Sequence, residues 1–207
     1  MDVSMGRVFS YDSPVWKFMG RLIDFMFLTI LWVVTSLPII TMGTATTTVY
    51  YITLKMSANK EEYLFSMYFK NFKRFFKETT KAWLLILLVG AILAGDFYIC
   101  TLVHNAITTM LFAAFSIIMV IFVMTVTYLF PVMARLDNSI MGYVKAAFYL
   151  AIRYFSWSIL IVVIEICLIA LGIFAFWPLL VIVIGLSSYL QSLIFHQIFK
   201  QQGWEIE

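Results

Sequence analysis

The chain is poor in charge. Asp, Glu, Lys and Arg make up only 12% of its 207 residues, against roughly 25% in soluble domains. It has two histidines, His104 and His196, and two cysteines, Cys100 and Cys167, all far apart. None forms a group with metal-ligand spacing, so a metal centre is not expected, and the cysteines read as small buried apolar residues. No Walker A loop, nucleophile elbow or zinc-protease signature occurs, and no hydrophilic stretch is long enough to form a substrate domain. An enzyme is the least supported class, and no cofactor is expected. There is neither a small-x-small cleavage site after the first apolar run nor a lipobox cysteine, so that run reads as an uncleaved helix.

Apolar residues are abundant instead. They make up 63% of the chain, and the mean hydropathy is +0.98. A soluble domain of this length has too little core to hide that surface, whereas lipid can take it. About 20 apolar residues cross a bilayer as helix. The runs are too long and continuous for barrel strands. They fall at about 18–37, 39–54, 82–103, 106–133, 157–176 and 177–199. The breaks lie at Pro38 to Gly43, His104–Asn105 and Phe176-Trp177-Pro178. The expected fold is all-α: one transmembrane domain over 1–207, a polytopic bundle of about six spans, with the second run the shortest.

The basic residues orient this bundle. Arg7, Lys17 and Arg21 precede the first run, and Lys55 to Lys81 lie between the second and third. Arg135, Lys145 and Arg153 separate the fourth and fifth, and Lys200 follows the sixth. With six crossings, all 14 Lys and Arg fall on one side. The positive-inside rule makes that side the cytoplasm, with the segment 1–15 and the C-terminus both there.

Two cytoplasmic stretches have the helix period. Over 59–81, Phe65, Phe69, Phe72 and Phe76 form one face, and Lys70, Arg74, Lys77 and Lys81 another. Asn59 with Glu62 can form a capping box. Over 137–154, Asp137 or Asn138 can cap a helix whose apolar stripe is Ile140, Val144, Ala147, Ala151 and Tyr154. Both read as interfacial helices. Lys70, Lys73, Arg74, Lys77 and Lys81 would meet anionic lipid headgroups, a better partner than nucleic acid. Each stretch follows a span and leads to a tryptophan, Trp83 or Trp157, which suggests an internal repeat.

Carboxylates at membrane depth are costly, which makes them functional candidates by default. Glu165 lies near the middle of the fifth run. It is either a proton or cation site, an intersubunit contact, or a hydrogen-bonded carboxyl inside the bundle. Asp96 lies toward the outer end of the third run and reads as an interfacial carboxylate. Asp24 lies near Arg21, and His196 near the inner end of the last run. The segment 36–48 is the most unusual. Pro38 and Gly43 interrupt helix, and Thr41, Thr44 and three further threonines supply hydroxyls. It is either a broken helix offering dipoles to a substrate or, the favoured reading, a tight hairpin with a small-residue packing face.

SLPIITMGTATTTVYYITLK followed by YFKNFKRFFKETTKAW resembles the YesL-like family of small bacterial membrane proteins, a domain of unknown function. The Leu-Pro-Ile-Ile-Thr-Met-Gly part is the more specific. The family has no assigned activity or functional residues. Its members tend to be encoded beside components of carbohydrate importers and sensor kinases. The resemblance thus implies an accessory subunit of a carbohydrate ABC importer. A stand-alone small transporter or channel, or a membrane partner of a sensor kinase, are the alternatives. The chain has no E-A-A…G permease coupling run.

Overall fold

The computed structural model describes residues 14–58, 63–102, 106–174 and 181–204. The capping pair Asn59 and Glu62, the loop at His104–Asn105, the corner at Phe176-Trp177-Pro178 and most of the segment 1–15 lie outside them. The described residues form seven α-helices and one short 3-10 helix, with no strand. The α-helices are α1 (Pro14–Ser36), α2 (Met42–Ser57), α3 (Leu64–Leu102), α4 (Ala106–Arg135), α5 (Ile140–Arg153), α6 (Phe155–Phe174) and α7 (Val183–Gln201).

Four of these, α1, α3, α4 and α6, are long and apolar enough to cross a membrane. The runs expected as the second and sixth spans, α2 and α7, fall outside that set among the described residues. At 16 residues α2 is short for a span, and α7 is interrupted by polar residues; both also bury polar side chains. Thr44, Thr47, Thr48 and Thr53 on α2, and Ser187, Ser188, Gln191 and Ser192 on α7, are all buried. Their hydroxyls and amide face protein, where partners exist, instead of lipid, where none do. The α2 threonines bond backward along their own helix: Thr47 to the Gly43 carbonyl, Thr48 to that of Thr44 and Thr53 to that of Val49.

Paired contacts give the helix directions. Thr44 meets Thr79 and Tyr51 meets Phe75, so α2 and α3 run oppositely. Trp83 meets Phe130 and Phe97 meets Phe112, so α3 and α4 do too. Glu165 with Gln191, and Tyr154 with Gln201, set α6 against α7. Tyr50 with Gln191 and Thr53 with Ser192 make α2 and α7 parallel. In this arrangement Lys55, the first half of α3, Arg135, α5 and Lys200 gather at one end of the bundle.

The basic stretch is not a separate helix. Residues 64–102 form one helix of 39 residues, about 58 Å long. Phe76 to Trp83 contains no proline or glycine that would end or bend it. The break expected at Lys81–Ala82 is therefore absent, and the Phe/Lys half continues the axis of the apolar half. Beyond Trp83 the two halves differ. The most apolar window of α3 has no buried residue, and neither does that of α4. Leu84, Leu88, Ile92 and Ile99 on α3, and Ile117 and Val120 on α4, are exposed.

The second amphipathic stretch is a separate helix, α5, but its cap and its stripe differ from expectation. Ser139, not Asp137 or Asn138, is the N-cap, and its Oγ accepts from the Gly142 N–H at 3.2 Å. Asn138 instead uses its Oδ1 to accept the Ser139 N–H. The buried face is Tyr143, Ala147, Leu150 and Ala151. It packs on Leu54, Met133 and Phe199. The Tyr143 hydroxyl donates to Glu78 on α3 at 3.0 Å, and Arg74 pairs with Asp137. Burial pushes the Tyr143 phenol up, so it remains a neutral donor. Met141, Phe148 and Ile152 form a second, exposed apolar face.

A buried polar network as candidate functional site

Gln191 lies on the α7 face turned toward α2 and α6 and is 1% exposed. A primary amide buried in that way must find partners for its carbonyl and its N–H groups. Its Oε1 accepts from the Tyr50 hydroxyl on α2. Its Nε2 donates to the Glu165 carboxyl on α6. The amide thus couples three helices, in a fixed polarity that runs from Tyr50 to Glu165. Ser187, one turn earlier on α7, bonds back to the Ile184 carbonyl at 3.3 Å. Next to Gln191, Thr53 and Ser192 share a hydrogen bond of 2.7 Å and are both fully buried. Tyr50 is held from the side by the edge of Phe195, and Phe195 meets Tyr128 in the same way. Tyr128 in turn accepts from Ser158.

Glu165, Gln191 and Tyr50 line a cavity of about 310 Å³, walled mainly by Phe122, Val126 and Phe130 of α4 and Ile161 of α6. Glu165 is half-buried on its wall. No Lys or Arg among the described residues lines this cavity. The site offers one carboxyl, one amide and one phenol in an apolar enclosure. That set can hold a proton, a cation or a hydrogen-bonding group. It contains no activated nucleophile.

The other residues singled out in the sequence do not join this site. Asp96 lies on the C-terminal half of α3, next to the Phe97–Phe112 contact, and is not part of the cavity. The 36–48 segment is a hairpin. Pro38 presents its carbonyl to the Thr41 N–H at 2.9 Å and to the Thr41 hydroxyl at 2.8 Å. Gly43 lets α2 touch α3, since a Cβ there would lie 2.6 Å from the Trp83 Cβ. Thr44 bonds Thr79 at 2.8 Å. The Trp83 indole donates to the Ile39 carbonyl at 2.7 Å and anchors the turn. This is the packing arrangement. Only Thr46 of this segment reaches the cavity wall. His196 is half-buried, and its Nδ1 has no hydrogen-bond partner among the described residues. Among those residues no three His, Cys, Asp or Glu side chains group to hold a metal ion.

Sequence reasoning found Glu165 but missed Gln191 and Tyr50. The available signal was the polar stripe Ser187, Ser188, Gln191 and Ser192, at steps of one, three and one, in an otherwise apolar helix.

No curated protein and no solved structure matches the chain. One family model does, and it covers residues 25–97, from mid-α1 to the outer part of α3. It includes the hairpin, the hinge-free basic half of α3 and Trp83, the same residues that carry the YesL-like resemblance. Over residues 25–97 the chain matches the family described as "Protein of unknown function, DUF624", in agreement with that resemblance.

Proposed function

We propose that this chain is a non-catalytic membrane subunit that works by contact, as an accessory component of a bacterial carbohydrate importer. The observation that carries the proposal is the arm formed by the outer halves of α3 and α4. Its apolar sides are left uncovered by the rest of the chain. In a bilayer these sides meet lipid or the helices of another membrane protein. The importer itself rests on the YesL-like resemblance. The basic end is assigned to the cytoplasm by the positive-inside rule. The α1–α2 hairpin returns the chain to its starting side, so this orientation is the same for six crossings and for four. Its pairing with the basic half of α3 supports a position of the hairpin toward the inner leaflet. Lys77 and Lys81, nearest the apolar run, are placed to meet anionic headgroups.

Purification of the tagged chain from native membranes in mild detergent tests the proposal. Permease and ATPase subunits should be recovered with it. Recovery of the chain alone, under conditions that keep importers whole, would count against an accessory role.

A second reading, a small transporter, is favoured by Glu165 on the cavity wall. Reconstitution in liposomes decides it. Flux of sugars or ions should appear and should fall with Glu165→Gln. No flux, with the variant indistinguishable from wild type, removes this reading.

A further inference from the structure

In the Glu165 cavity the polar side chains already donate inside the protein. Tyr50 donates to Gln191, and Gln191 donates to Glu165. Thr46 donates to the Met42 carbonyl at 2.8 Å, and Thr127 to that of Val123 at 3.0 Å. What the wall offers a ligand is a carboxyl, hydroxyl oxygens and the rings of Tyr50, Phe122 and Phe130. Two of these rings are seated against α3. Phe130 meets Trp83 at 5.9 Å between centroids, and a Cβ at Gly90 would lie 3.6 Å from the Phe122 ring. Carboxylates and aromatic faces both attract positive charge. No Lys, Arg or His among the described residues lines the cavity to supply it. The cavity also has a way in. Val123 of α4 and Ile166 of α6 line it and are exposed. Both helices are long and apolar enough to cross a membrane, so the gap between them opens on lipid. A groove of about 250 Å³, walled only by Met, Val and Ile, lies between the same two helices. Val123 and Val162 line both, so the groove adjoins the cavity.

We propose that this cavity binds the ammonium head of a single-chain amphiphilic cation that enters sideways from the bilayer. The head sits among Glu165 and the rings of Tyr50, Phe122 and Phe130, and the chain lies along the α4–α6 groove. The proposal rests on the cavity of the transporter reading and names its ligand class, without requiring transport. An anion would find no positive partner there. A sugar needs many hydrogen bonds, and the donors on this wall are committed to the protein. A hard metal ion takes about six oxygen ligands, whereas this wall is mostly ring and aliphatic carbon. A methylated ammonium matches what is present, since aromatic faces are a natural seat for quaternary ammonium groups. It also gives the Glu165 carboxylate a countercharge, which offsets the cost of ionising it at membrane depth. Ligand pockets run from about 300 to 1,000 Å³. At about 310 Å³ this one suits a head group, with the chain left to the groove.

Binding of labelled dodecyltrimethylammonium to the full chain in dodecyl maltoside micelles tests this, with protein-free micelles as the blank. Binding should saturate at a single site per chain. Dodecanol, which has the chain without the charge, should compete poorly. Glu165→Gln should weaken binding roughly tenfold or more, the weight of a contact with a charged group. Phe122→Leu should weaken it about threefold or more through the loss of one ring. Asp96→Asn, which removes a carboxylate outside the cavity, should bind as wild type does. Melting curves in the same micelles verify that each variant is folded. No saturable binding, binding unchanged in folded Glu165→Gln or Phe122→Leu, or equal competition by dodecanol overturns the proposal. Liposome flux, measured on the same preparations, separates this site from the transporter reading. Ammonium binding without flux of sugars or ions supports the site and removes that reading. Flux that falls with Glu165→Gln, in a chain that binds no ammonium, overturns the site and leaves transport standing.

Discussion

Gly185 on α7 sits directly against the backbone of Phe25 on α1. A Cβ at position 185 would fall 2.4 Å from the Phe25 carbonyl oxygen and 2.7 Å from its Cα. The Gly185 N–H meanwhile donates to the Thr29 hydroxyl at 3.0 Å. The first and last helices are therefore joined at a point where only hydrogen fits. Backbone cannot yield as a flexible side chain can, so Gly185→Ala must move one helix. We expect it to cost about 1–3 kcal/mol. Gly95→Ala is the control, since nothing lies within 4 Å of a Cβ there. It should be neutral or stabilising by up to about 1 kcal/mol through helix propensity. Thermal unfolding in detergent checks both. Equal melting of the two variants would show that the α1–α7 contact is looser than described.

The Tyr50–Gln191–Glu165 chain predicts non-additive energetics. Tyr50→Phe leaves the Gln191 carbonyl without its donor and should destabilise by about 1–3 kcal/mol. Gln191→Leu removes both bonds at once and should cost at least as much. Because the two side chains share one bond, the double variant should lose less than the sum, by about 0.5–3 kcal/mol. Unfolding midpoints of the four proteins complete the cycle, and strict additivity would mean that the amide does not couple the helices.

The apolar helices were legible because lipid demands long uninterrupted runs, and those of α3, α4 and α6 are unmistakable. The one-sided placement of Lys and Arg was legible for the same reason. Three features were not. The shift from amphipathic to wholly apolar sequence at Ala82 looks like a change of element, yet helix continuity depends on breakers, and Lys77 to Trp83 has none. Asp137, Asn138 and Ser139 are all acceptable caps, and only the chain path selects Ser139. Gln191 was overlooked because one amide in an apolar helix gives no sign of the helix it faces. Glu165 stood out by its charge. Its partners came from α2 and α7, which are distant in sequence and were assigned to lipid, not to each other.

Thr44 and Thr79 offer a test of how α2 is held. Each is fully or almost fully buried, and their hydroxyls lie 2.8 Å apart. Thr79 also bonds the Phe75 carbonyl, so it donates there and accepts from Thr44. Thr44→Val keeps the shape but takes away that donor, along with the 3.2 Å contact between the Thr44 and Thr80 hydroxyls. A loss of about 1 kcal/mol is expected. Thr125→Val, at a half-buried position on α4 whose hydroxyl bonds its own helix, should change stability by less than half of that. Chemical denaturation in mixed micelles measures the pair. A larger effect at Thr125 would contradict the assigned role of the α2–α3 interface.

The unbroken course of α3 separates two pictures of the basic end, and a distance decides between them. Ser66 and Gly95 are both exposed and lie on opposite halves of the helix. Along one straight helix their Cα atoms are about 44 Å apart, at 1.5 Å per residue. If the Phe/Lys half instead turned at Lys81 to lie flat on the leaflet, the two arms would meet near a right angle, and the distance would shrink to about 31 Å. Spin labels at the two positions, with Cys100 and Cys167 replaced by serine, report this distance by electron–electron resonance in nanodiscs. The longer value is expected. It would show that the Phe/Lys half continues the axis of the apolar half, beside Phe27 and Thr35 of α1. The shorter value would restore the surface-lying helix expected from the spacing of Phe65, Phe69, Phe72 and Phe76.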